Sequence, residues 1–196
     1  MNIFSYSKIN LFNQKHIMKW QILNSRNIQN LIINYIGFTP KTKKELKQAV
    51  KLWCKNKNEA KKKYGDINTW NVQNITDMSE LFKYCNNFNE DINSWDVSNV
   101  TNMSGMFWGC KKFNQPLNNW KVDNVGNMGC MFFDCINFNQ PLNDWYVDNV
   151  RSMSYMFKRN KKFNKDISSW NVSNVKYMEE MFSSCNILEE YKPNFN

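Results

Sequence analysis

Cysteine, histidine and closely paired carboxylates are the side chains through which this chain of 196 residues could do covalent, metal or acid–base chemistry. Of six cysteines, Cys85, Cys110, Cys135 and Cys185 recur on a period of 25, with Asn160 standing in the fourth place. A metal needs ligands that converge on a point, tetrahedrally for zinc, whereas equivalent positions of a repeat form a line. No Cys-x-x-Cys pair occurs, and Cys130 and Cys135 are the closest two. The ladder therefore reads as small, buried, free thiols filling an inner face, which favours a reducing compartment. His16, the one histidine, lies in the least patterned stretch. Asp91 and Asp166 recur at one repeat position rather than forming a dyad, and the six glycines compose no phosphate-binding loop. Enzyme chemistry is thus the least supported class, and no catalytic residue, cofactor or metal site is expected.

The period that places the cysteines governs the whole chain beyond residue 65. Trp70, Trp95, Trp120, Trp145 and Trp170 are separated by 25 residues each, with no insertion. Val97, Val100, Met103, Met106, Phe107 and Phe113 travel with Trp95, and their counterparts travel with the other tryptophans. From Val100 the apolar positions 100, 103, 106, 107 and 110 have the spacing of one face of a short helix. From Leu117 the apolar positions 117, 120 and 122 end in a Trp-x-Val alternation that reads as a short strand. One unit cannot bury its own apolar face, but five stacked units can. The expected fold is an α/β repeat solenoid, a leucine-rich-repeat-like stack of five 25-residue coils with short parallel strands on one side and short helices on the other.

The pattern Leu-x-x-Trp-x-Val-x-Asn-Val-x-x-Met-x-x-Met-Phe-x-x-Cys-x-x-Phe resembles the BspA-like leucine-rich repeats. It is most similar to their 25-residue branch of unknown function, known from mycoplasma surface proteins and also from giant viruses and protists. The resemblance covers residues 66–191 and implies a repeat protein with a surface or adhesin-like role. It also implies that Asn74, Asn99, Asn124, Asn149 and Asn174 correspond to an asparagine ladder, whose amides satisfy turn backbone groups.

The formal net charge of +9 belongs to one end of the chain. Residues 1–65 carry 14 Lys+Arg against 2 Asp+Glu, and residues 66–196 carry 12 against 15. The chain divides into a poorly patterned segment 1–24, a helical region and cap 25–64, and the repeats 65–196. Ile28, Leu31, Ile32, Tyr35 and Ile36 suggest a helix over 25–37. Thr42-x-x-Glu45 after Pro40 is a capping box for a helical cap over 41–64, with Leu46, Ala49, Val50 and Trp53 on one face. No stretch reaches the roughly 20 apolar residues of a membrane helix. No export signal or lipobox is recognised, so an intracellular place is expected, in host cytoplasm or virion if the chain is viral.

What remains is the surface. Between the inward Trp and Val, one outward position reads Asn71, Asp96, Lys121, Tyr146, Asn171, and its neighbour reads Gln73, Ser98, Asp123, Asp148, Ser173. These positions vary while the core letters repeat. The expected function is a non-enzymatic protein-interaction module. Its candidate contact residues are Asp96, Ser98, Lys121, Asp123, Tyr146, Asp148 and Asn171, and the partner is a protein. A second reading is a nucleic-acid or anionic-surface binder using Lys43, Lys44, Lys47, Lys51, Lys61, Lys62 and Lys63. A third is an adhesin-like protein exported by an unconventional route.

Overall fold

Every second backbone amide in the turn segment of each repeat, 103–109 in the second, reaches out of its own coil, and this decides the fold. In the computed structural model, which describes residue 28 and residues 37–195, the second coil shows the rule. The N–H groups of Met103, Gly105, Phe107 and Gly109 donate to the carbonyls of Asn127, Gly129, Met131 and Phe133 in the third coil, at 2.8–2.9 Å. Those of Met106, Trp108 and Cys110 turn back on Met103, Gly105 and Phe107 at 2.9–3.1 Å. The amide of Ser104 is taken by Asn102 Oδ1 at 3.0 Å. Every donor in the segment is thereby satisfied, as a buried backbone requires.

This pattern overturns the α/β repeat solenoid. An α-helix would direct each N–H to the carbonyl four residues back and leave none for the neighbouring coil. Instead the helical spacing at 100, 103, 106, 107 and 110 is produced by a chain of turns. The described residues of the repeats contain no α-helix and no strand, only isolated parallel bridges running Asp77, Asn102, Asn127, Ser152, Tyr177. Two left-handed residues per coil make the path possible, Gly105 (φ 62) and Gly109 (φ 73) in the second coil and, for example, Tyr155 (φ 60) and Arg159 (φ 62) in the fourth. At a non-glycine residue this conformation costs roughly 1–2 kcal/mol, which the bonds between coils offset. Gly109 also needs to be small, since a Cβ there would come within 2.8 Å of the Tyr84 ring.

The Trp-x-Val leg alternates as expected, with Trp95 and Val97 buried around exposed Asp96, yet it lies between turns at 93–94 and 98–99 and joins no sheet. Side chains supply the missing ladder. The indole N–H groups of Trp95, Trp120, Trp145 and Trp170 donate to the carbonyls of Ile67, Ile92, Leu117 and Leu142, 28 residues back, at 2.8–3.1 Å. The amides of Asn99, Asn124, Asn149 and Asn174 reach the carbonyls of Gln73, Ser98, Asp123 and Asp148 at 2.7–3.0 Å. Inside, Phe82, Phe107, Phe132, Phe157 and Phe182 stack with centroids 5.4–5.8 Å apart.

Trp70 has no coil before it, and its buried indole nitrogen finds no acceptor. Trp120→Phe removes a made bond, leaving the Ile92 carbonyl to the Trp95 amide alone, whereas Trp70→Phe removes a donor without an acceptor. The first is therefore expected to cost about 1 kcal/mol more than the second. Urea titrations of the two variants measure the difference, and equal losses would deny the indole ladder its role.

The chain divides into two compact units, Met1–Gly37 and Phe38–Asn196. His16 and nearly all of the helix expected over 25–37 fall outside the described residues. In the second unit the cap is two helices rather than one, α1 (Lys43–Lys55) and α2 (Lys57–Tyr64). Thr42 caps α1, accepting from the amide of Glu45 at 3.2 Å. Asn56 leaves the helical region and caps α2 through the amide of Glu59 at 3.1 Å. Leu46, Ala49, Val50 and Trp53 are buried in the core that runs through the coils, and Trp53 meets Trp70 edge-on at 5.7 Å. Cys54 of α1 forms a disulfide with Cys85 of the first coil, so Cys85 is not the free thiol expected. At the far end Glu189–Tyr191 is a 3-10 turn, and Met178 is 44% exposed rather than buried like its counterparts.

Candidate functional site

The outward positions of the Trp-x-Val leg divide into two kinds. A short acceptor side chain folds back on its own turn. Asp96 Oδ1 takes the amide of Ser98 at 3.1 Å and its hydroxyl at 2.6 Å, and Asn171 Oδ1 takes the amide of Ser173 at 3.3 Å. These are turn-closing contacts, and they hold Asp96 and Asn171 to structural work. Ser98 is half-buried in the same turn. Lys121 and Tyr146 carry no such acceptor and project outwards, Tyr146 at 71% exposure. Asp123 and Asp148 are exposed beside them, their main-chain carbonyls fixed by Asn149 and Asn174.

Asp96, Ser98 and Lys121 come together at a shallow cavity of about 400 Å³, which Ser94, Trp95 and Asn119 also line. The Ser98 hydroxyl and amide, with Lys121 adding a favourable charge, hold the Asp96 carboxyl below the ordinary carboxylate range. The site thus offers a fixed negative charge, a positive charge and, in the next coil, a large ring with a polar tip. Such a face can bind and orient a partner.

Two of the repeat thiols are held inside the core. Burial pushes Cys110 and Cys135 well above the usual thiol range. Each S–H donates to a carbonyl 28 residues back, Phe82 at 3.0 Å and Phe107 at 2.8 Å. A thiol kept protonated and bonded is a poor nucleophile. In the fourth coil Asn160 fills the same buried place, and the two carbonyls facing it, Cys135 at 2.8 Å and Phe138 at 3.1 Å, assign its amide nitrogen to that side.

Of the cap lysines, Lys43, Lys44, Lys47 and Lys51 line one shallow surface of α1, while Lys61, Lys62 and Lys63 lie on α2. Lys43 bonds Asp77 at 2.8 Å. Burial works to raise the Asp77 carboxyl, but bonds from Lys43 and Ser79 outweigh it and the group sits low. Lys61 pairs with Asp66, and Lys63 lies over the Tyr64 ring at 5.1 Å. Lys44, Lys47, Lys51 and Lys62 are exposed. No helix among the described residues is long and apolar enough to cross a membrane.

Sequence reasoning overlooked a second variable position, on the turn side, which reads Lys83, Trp108, Phe133, Lys158, Ser183. Trp108 and Phe133 are half-buried with centroids 5.0 Å apart, and Lys83 Nζ lies 4.1 Å from the Trp108 ring centre. The signal available was the change of letter from copy to copy at that position.

A family model described as Mycoplasma protein of unknown function, DUF285, matches residues 50–151 and 122–196. The match begins inside α1 and takes in both Cys54 and Cys85. No curated protein and no solved structure matches the chain.

Proposed function

We propose that this chain, which belongs to the DUF285 family of Mycoplasma proteins of unknown function, is a non-enzymatic interaction module whose partner is a protein. The observation that carries this reading is the contrast on the outward face. Asp96 and Asn171 are tied into turns, whereas Lys121 and Tyr146 stand free on a backbone fixed from coil to coil. A rigid frame with a few free, varied side chains loses little entropy on binding, and tyrosine supplies contact area with a polar tip. Lys121 beside Asp96, Asp123 and Asp148 gives a patch of mixed charge that selects a partner's orientation more than its affinity.

The Cys54–Cys85 disulfide supports an oxidising compartment and thus the exported, adhesin-like form of this role over the intracellular one. Tyr146→Ala with Lys121→Glu is expected to leave stability within about 0.5 kcal/mol of the parent. The pair should abolish capture of a specific partner by the immobilised full chain, while Trp108→Ala on the turn side should retain it. Loss with Trp108→Ala and retention with the pair would move the site to the turn side.

A further inference from the structure

A cavity of about 860 Å³, more than twice the size of the one beside Asp96, opens between α1 and the first coil. Lys47, Lys51 and Lys55 line it from α1, each four residues from the next and so about 6 Å apart in one row. Lys57 and Lys83 line it from α2 and the first coil. Its two glutamates are already engaged, Glu90 by Lys57 at 2.8 Å and Glu80 by Lys83. Lys47, Lys51 and Lys55 form no ion pair among the described residues, although Lys47 adds a favourable charge to Glu80; with five lysines against two glutamates the cleft keeps an excess of positive charge. The Cys54–Cys85 disulfide lies in the cleft and ties its two walls together.

We infer that this cleft binds a sulfated polysaccharide, at a site separate from the Lys121–Tyr146 face. Three features select that class. The basic residues are all lysine, a point charge that suits dispersed sulfates, whereas carboxylates are matched best by the arginine fork. Single-stranded nucleic acid needs successive exposed rings to stack its bases. In the cleft Trp53 and Phe88 are only 4% and 5% exposed, which leaves Tyr84 as its one open ring; Trp108, 5.9 Å from Tyr84, is half-buried and lines no part of the cleft. The disulfide favours an oxidising compartment for the cleft, where sulfated polymers are abundant polyanions.

Titration of the full chain with heparin, desulfated heparin, oligothymidylate and polyglutamate tests the assignment. Heparin is expected to bind, with affinity falling as salt rises through counterion release. The triple variant Lys47→Ala, Lys51→Ala, Lys55→Ala should lose about tenfold or more, the sum of three exposed charge contacts, with an unchanged melting temperature. Removing the same charge far from α1, by Lys161→Ala, Lys162→Ala and Lys165→Ala in the fourth coil, should leave affinity within about twofold, since those side chains line no part of the cleft. Equal losses in both triple variants, undiminished binding of desulfated heparin, or tighter binding of oligothymidylate or polyglutamate would each overturn the assignment.

Discussion

Phe132→Ala is expected to cost about 3–5 kcal/mol, the range for emptying a fully buried phenylalanine site, and to divide unfolding into two steps. Phe132 is fully buried in the middle coil, with rings on four sides: Phe138 at 4.2 Å, Phe107 and Phe157 at 5.6 Å, and Trp145 at 6.4 Å. Neighbouring coils meet through such rings and through the amide bonds between coils, so stability is close to a sum of coil and interface contributions. A cavity at the middle interface weakens the coupling between the two ends. Phe182→Ala, in a half-buried place with one ring partner, Phe157 at 5.8 Å, should cost much less and leave one transition. Urea unfolding followed by tryptophan fluorescence separates the cases. A single transition for Phe132→Ala at the parent's midpoint would mean that the ring ladder does not join the coils.

The same rings explain which parts of the fold were legible in the sequence. Trp, Val, Met and Phe recur at fixed places, and the places from Trp70 to Met156 are buried throughout. Periodicity reports burial faithfully. It does not report how the chain travels between buried positions, because a run of three-residue turns with left-handed corners gives the apolar spacing of a short helix. Gly105 and Gly109, two glycines four residues apart in the supposed helix, were the one local hint, and other coils hide it with Tyr155 and Arg159 in the same conformation.

The candidate site shows a similar division. Variation from copy to copy located the outward face, but only the geometry separates Asp96 and Asn171, which close turns, from Lys121 and Tyr146, which do not. The cleft under α1 joins segments more than thirty residues apart in sequence. No pattern within a single repeat could have announced it, and the partner of Cys85 lay outside the repeats altogether.

That missed pair leads to the second large effect. In coils two and three the repeat cysteine donates to a carbonyl of the coil before it, whereas Cys85 lies in the first coil and meets α1 instead. The bridge closes a separation of 31 residues, and limiting the unfolded chain to that extent is worth about 3–4 kcal/mol in the chain-entropy account. Cys54→Ser and Cys85→Ser are each expected to lose that amount, and the double variant no more than either, since one bond is broken in all three. Reductant should carry the parent to the variants' urea midpoint and leave the variants where they are. The cap does not depend on the bridge alone, because Leu46, Ala49, Val50 and Trp53 stay buried against the first coil. The reduced protein should therefore keep its helical circular dichroism at low urea and lose the cap at a lower concentration than the coils. A parent whose midpoint ignores reductant would show that α1 is held by its apolar face and that the disulfide adds nothing to it.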